Sequence, residues 1–122
     1  MKIIKIPVEG DIELKEIGSE LKHLQAEVGG DIREVPTIME NVGIIVDEAT
    51  EKKKLRANVR ASMLMDCNQI TRANCLCGDA LLVLADPGED IYVDFTFSNL
   101  IHIKRLITAR IKQHRDNGWM KG

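Results

Sequence analysis

The sequence predicts an α+β protein, with a mainly antiparallel sheet built from hairpins and two principal helices over about residues 18–29 and 98–117. Three observations carry that prediction. Apolar residues recur at helical spacing in both long segments. Short apolar runs elsewhere are separated by turn signals such as Glu9-Gly10-Asp11 and Asp86-Pro87-Gly88. No regular alternation of strand and helix calls for a parallel sheet. A chain of 122 residues has the commonest domain size, so one domain is expected over 1–122, with a sheet core over 2–97 and a closing helix.

Residues 2–6, with Ile3, Ile4 and Ile6 before Pro7, read as a strand. After the turn at Glu9-Gly10-Asp11, Ile12 and Leu14 alternate with charged residues, so a half-buried second strand closes a hairpin. Gly18-Ser19 opens the first helix, with Ser19 as its expected N-cap and Ile17, Leu21, Leu24 and Val28 on one face. Gly29-Gly30 stops it, because glycine tolerates the left-handed conformation that a helix end needs. Residues 32–37 read as a strand ending near Pro36, and the continuous apolar run 42–46 as a strand buried on both sides. The lysine-rich stretch 49–54 reads as an exposed turn. Ala61, Leu64 and Met65 have the spacing of a short helix, while 68–76 shows no period. Gly78-Asp79 introduces a strand over 80–84, and Ile91, Val93 and Phe95 alternate on the return beyond Asp86-Pro87-Gly88. Ser98-Asn99 starts the last helix, Leu100, Ile103, Leu106, Ile107 and Ile111 form its core stripe, and Asn117-Gly118 ends it.

Composition removes several function classes. Aromatics are 3% of the chain, so the core is aliphatic and a base-stacking platform is not expected. No apolar run approaches the roughly 20 residues that span a bilayer, so no membrane association is expected, and residues 1–7 do not read as a signal peptide. Cys67, Cys75 and Cys77 are odd in number and clustered, which fits a reducing cytoplasm rather than a disulfide framework. The net charge of −2 is unevenly spread. Residues 1–50 carry 5 basic against 11 acidic side chains, and residues 51–122 carry 12 against 8. Surfaces of opposite sign could pair subunits or receive an anion.

Chemistry is less visible. No nucleophile elbow, zinc-protease or phosphate-loop pattern occurs, so no catalytic residue and no cofactor is assigned. The C-x7-C-x-C spacing lacks the close pairs and fourth ligand of a structural zinc site, so no metal is assigned either. Asp94 with His102 is the acid–imidazole pair that an enzyme acting on a nucleotide or nucleic acid would use. The basic set Lys52, Lys53, Lys54, Arg56, Arg60, Arg72, Arg105 and Arg110 is richer, since the guanidinium fork suits phosphate oxygens. If 52–60 packs near the last helix, Arg56, Asn58, Arg60, Arg72 and Arg110 form a ligand site, with Asn58 reaching a base or ribose. Duplex DNA is disfavoured by the negative overall charge. A protein partner would instead use an exposed apolar patch around Met63, Met65, Trp119 and Met120. A chain of this size has little concave surface of its own, so a symmetric homo-oligomer is expected.

Four short patterns occur in order: Val28-Gly29-Gly30-x-Ile32, Ile45-Val46-Asp47-Glu48, Leu55-x-x-Asn58-x-x-Ala61 and Gly78-Asp79-Ala80-Leu81-Leu82-Val83. Together they resemble the small phage- and plasmid-encoded proteins grouped as a domain of unknown function, number 3846, from about Ile3 to Val93. Two positions depart from that pattern: Asp31 replaces the usual aromatic, and Arg56-Ala57 stands where a proline often precedes the asparagine. The resemblance brings no catalytic residues. It implies an accessory gene of a mobile element, acting in the cytoplasm of a bacterial host. Such a protein would counteract a host defence by binding, either gripping a defence protein or sequestering a nucleotide second messenger without turnover.

Overall fold

The structure, a computed structural model, describes residues 1–67 and 69–116. It has the α+β architecture that the sequence predicts, with a six-stranded antiparallel sheet and a long C-terminal helix. Three hairpins supply the strands. They are β1 (Lys2–Ile6) with β2 (Glu13–Glu16), β3 (Ile32–Pro36) with β4 (Val42–Asp47), and β5 (Ala80–Ala85) with β6 (Tyr92–Val93). The order is β2-β1-β5-β4-β3, with β6 also paired to β5. Thus β5 joins the first two hairpins at the centre, Ile4 facing Leu82 on one side and Ile44 facing it on the other.

Side chains alternate across a strand, so each central strand feeds two cores. Ile3, Ile45, Leu81 and Val83 face α1 (Leu21–Val28) and pack around Leu24. Ile4, Ile6, Ile44, Val46 and Leu82 face α4 (Phe97–Asp116), meeting Leu100, Ile103 and Ile107. This two-sided burial explains the unbroken apolar runs in β4 and β5. Each such side chain contributes about 1.5–3 kcal/mol of transfer free energy.

Several elements differ in detail from the sequence reading. The first helix begins after Glu20, not Ser19: Glu20 holds the extended cap conformation, and its N–H meets His23 Nδ1 at 3.2 Å. The imidazole accepts from the cap residue's own N–H, the reciprocal half of a capping box, while His23 N–H bonds Glu20 O at 3.0 Å. Gly29 ends the helix as expected, at φ 93°. The 49–54 stretch contains a short helix, α2 (Thr50–Lys53), because Lys53 is drawn down onto Asp47 at 2.7 Å and Gly29 O at 2.9 Å. The ambiguous 56–67 region contains α3 (Val59–Ser62). β6 is shorter than the alternation at 91–95 suggests. Asp94 and Phe95 leave the ladder to bond the start of β1, through Lys2 N–H to Asp94 Oδ1 at 2.8 Å and Phe95 N–H to Lys2 O at 3.0 Å. The expected helix stop at Asn117-Gly118 lies outside the described residues. Among the described residues no helix is long and apolar enough to cross a membrane.

Candidate partner-binding surface

The five residues expected to bind a ligand are spread around α3. Asn58 is 1% exposed and caps the helix, its Oδ1 accepting from Ala61 N–H at 3.0 Å. Its Nδ2 donates to Ile6 O at 2.8 Å and Gly78 O at 2.9 Å, so the amide ties α3 to β1 and to the entry of β5. Ser62 Oγ bonds Asn58 O at 2.7 Å and accepts from Leu76 N–H at 2.8 Å, extending the network. Gly78 stands at φ 81°, and a Cβ there would lie 2.9 Å from Leu55 Cδ1, so the turn into β5 requires glycine.

Arg60 reaches from α3 to Pro7 O at 2.6 Å, and Arg110 reaches from α4 to Met63 O at the end of α3. Both guanidinium groups therefore satisfy backbone carbonyls that no ladder serves. Arg56 pairs with Glu9 at 2.6 Å, with both side chains about 70% exposed, and its cation holds the Glu9 carboxyl below the ordinary range. Arg56 and Arg60 thus both land on the turn after β1. Arg72 is exposed on a separate loop. A cleft of about 340 Å³ lies beside Arg56, lined also by Val8, Lys54, Leu55 and Asp79, and Asp79 there accepts from Val8 N–H at 2.9 Å.

The other groups singled out in the sequence have local partners or stand apart. A broad concavity of about 790 Å³ lies beside α2, but its Arg33, Lys52 and Lys53 are matched by Asp31, Glu48 and Glu51, so it draws no net anion. The Asp47 carboxyl, 2% exposed, is held below its usual value by Lys53 and then by Ala49 N–H, against a smaller effect of burial. Asp94 is engaged with Lys2, His102 is exposed, and no hydrogen bond joins them. Among the described residues no three His, Cys, Asp or Glu side chains approach closely enough to hold a metal ion. Burial, then the neighbouring Cys75, pushes the Cys77 thiol up, which makes it a poorer nucleophile and ligand.

The apolar patch expected around Met63 and Met65 is corrected by the structure. These side chains are 0% and 6% exposed and pack in the main core with α4, on the turn that follows α3, where Met65 bridges to Thr37. Trp119 and Met120 lie outside the described residues. Ile38, whose N–H bonds Leu64 O at 3.0 Å, is exposed beside Met63 and Met65, and α4 carries two further exposed apolar side chains, Phe97 at 66% and Ile101 at 38%. They stand one turn apart, and the outer face continues through Lys104, Arg105, Lys112 and Arg115. All four cations are exposed and none has an ion pair among the described residues. Asp116 is the helix's only acid. This face combines an apolar end with a run of free positive charge, a mixture suited to an acidic protein surface.

A family model described as Domain of unknown function (DUF3846) matches residues 1–107. The chain belongs to this family. The match contains all four sequence patterns and extends past Val93 into α4, beyond the span that the patterns cover. It takes in Lys104 and Arg105 and stops before Lys112 and Arg115. No curated protein and no solved structure matches the chain. Within DUF3846, the paired glycines after α1 and the glycine before β5 have structural duties here, as does the asparagine that caps α3.

Proposed function

We propose that this DUF3846 chain is an accessory protein of a phage or other mobile element that acts in the bacterial cytoplasm by gripping an acidic host defence protein through the outer face of α4. The observation that carries the reading is that face: four exposed cations, without an ion pair among the described residues, continuing from Phe97 and Ile101. Free charge steers encounter and selects an acidic partner, and an aromatic beside it supplies apolar area to hold the complex. The nucleotide-sequestering alternative draws on Arg56, Asn58, Arg60 and Arg110, whose side chains already bond Glu9 or the backbone. The mobile-element setting rests on the four patterns, and the binding mode rests on α4.

The test is phage plating on bacteria that carry a defence system, with and without the chain. The wild type is expected to raise plating. The triple variant Lys104→Glu, Arg105→Glu, Lys112→Glu is expected to lose that effect while keeping its circular dichroism spectrum and melting temperature. Full activity of the triple variant refutes the α4 reading. A nucleotide released from the purified wild type on denaturation, with activity lost in Arg56→Ala instead, assigns the chain to sequestration.

A further inference from the structure

The main path of the sheet ends at β2 and β3, and the two-residue β6 adds a further short edge beside β5. In β2, the pairs Met1–Ile17, Ile3–Lys15 and Lys5–Glu13 exchange hydrogen bonds with β1, so the N–H and C=O groups of Ile12, Leu14 and Glu16 point outward. Among the described residues these outward groups have no partner. An open edge of this kind templates another strand. The sequence of the edge, Glu13-Leu14-Lys15-Glu16, is also self-complementary in one register. When two copies run antiparallel with Leu14 opposite Leu14, Glu13 of each faces Lys15 of the other, and the outward groups fall opposite one another as a hydrogen-bonded ladder requires. Centring on Lys15 would instead oppose two lysines, and centring on Glu13 two glutamates. The β3 edge has no such register at its middle, since centring on Arg33 or Glu34 opposes like charges.

The site around Lys15 has room for that acid. Lys15 lies 2.9 Å from Glu27 Oε1 and Lys5 lies 3.1 Å from Glu27 Oε2, so one carboxylate serves two ammonium groups. Lys15 remains 39% exposed. Glu13 is exposed and carries no ion pair among the described residues.

We infer that the chain forms a twofold homodimer by pairing β2 with β2 of a second copy, with Leu14 on the axis and two reciprocal Glu13–Lys15 pairs on the α1 side. The axis stands normal to the sheet, so both α4 helices lie on the same face and their cationic surfaces double. A strand this short buries less than the roughly 1,000 Å² of a stable interface, so the dimer belongs to the weak, reversible class. This pairing is independent of what α4 binds.

The test uses the full chain. Sedimentation over a range of concentrations is expected to show reversible dimer formation. Zero-length carbodiimide coupling of mixed ¹⁴N and ¹⁵N protein is expected to give a mixed-isotope peptide joining Glu13 to Lys15. Glu13→Lys turns both attractions into repulsions and is expected to weaken dimerisation by roughly ten- to a hundredfold. Glu16→Pro removes only an outward N–H, leaves the β1 ladder whole, and is expected to weaken it as well. A monomer at every concentration overturns the inference. So does a dimer that both variants leave unchanged, or one that yields no Glu13–Lys15 mixed peptide.

Discussion

Asn58→Ala tests whether the most buried polar side chain of the expected ligand set holds the fold. The substitution removes one acceptor and two donors at 1% exposure. Losing the cap of α3 costs about 1 kcal/mol. Ile6 O and Gly78 O each lose a donor in a dry site, at about 1 kcal/mol or more apiece. The sum, about 3–4 kcal/mol, is a large share of the roughly 5–15 kcal/mol that stabilises a domain. At about 3–5 °C per kcal/mol for this size, the melting temperature falls by roughly 10–20 °C. Urea unfolding should show the same loss as a lower midpoint at unchanged slope. Asn58→Asp sharpens the test. It keeps the acceptor for Ala61 N–H but turns an oxygen toward two carbonyls. Its carboxyl should then hold its proton more tightly folded than unfolded, so the variant regains stability as pH falls toward the ordinary carboxylate range and loses it as pH rises. An Asn58→Ala protein within 1 kcal/mol of the wild type would refute the reasoning and free Asn58 for a ligand.

Two further outcomes follow from buried or crowded ionisable groups. Tyr92 is the only tyrosine, and burial, then Glu34, whose carboxylate accepts from its hydroxyl at 3.1 Å, push its phenol up to about 12. Phenolate absorbance in the folded protein should therefore titrate well above the usual value of 10.0, and Glu34→Gln should bring the midpoint down; a wild-type midpoint near 10 contradicts the contact. Because the folded phenol keeps its proton, this contribution to stability is present below the unfolded value and is lost as pH rises through the folded one. Asp47→Ala strands the Lys53 ammonium and Ala49 N–H, and should cost about 1–3 kcal/mol in urea unfolding. The wild-type carboxyl is depressed below 3.8, so its contribution is present above that value and fades as pH falls through the folded value. Asp47→Asn should flatten that acid dependence.

The sheet and both long helices were legible because period and turn chemistry are local properties. Ile3, Ile4 and Ile6 lie in the first strand, Leu24 and Val28 on the first helix, and Gly29 at its end, as their spacing suggests. Strand order was not legible, because β5 pairs with β1 across more than seventy residues of intervening chain and nothing in either strand names the other. The Met63 and Met65 patch failed for a related reason. Methionines on the turn after a short helix give no sign of which side a core will occupy until α4 is laid over them. The arginines show a third limit. Sequence reveals a cation's presence but not whether a carbonyl such as Pro7 O or Met63 O already holds it. The cationic face of α4 was visible as residue types, and the lack of ion pairs there among the described residues emerged only from the geometry of their surroundings.

The charge asymmetry along the chain becomes an asymmetry across the sheet. Helix α4 carries five basic side chains against Asp116, which accounts for the whole positive surplus of residues 51–122. On the opposite face, the stretch around α1 bears Glu20, Glu27 and Asp31 against Lys22. Strand alternation sends Lys5 and Lys15 to that acidic side, where Glu27 holds both, and leaves the α4 side to its own cations. The sheet between them is packed with aliphatic side chains, so the two fields stay separated by a low-dielectric layer rather than cancelling. Pairing through β2 with an axis normal to the sheet preserves that separation, whereas stacking one α4 against another would oppose like charges. The proposed interface and the proposed binding face are therefore compatible: the first uses an edge, the second a face, and β2 pairing would also concentrate positive charge on one side.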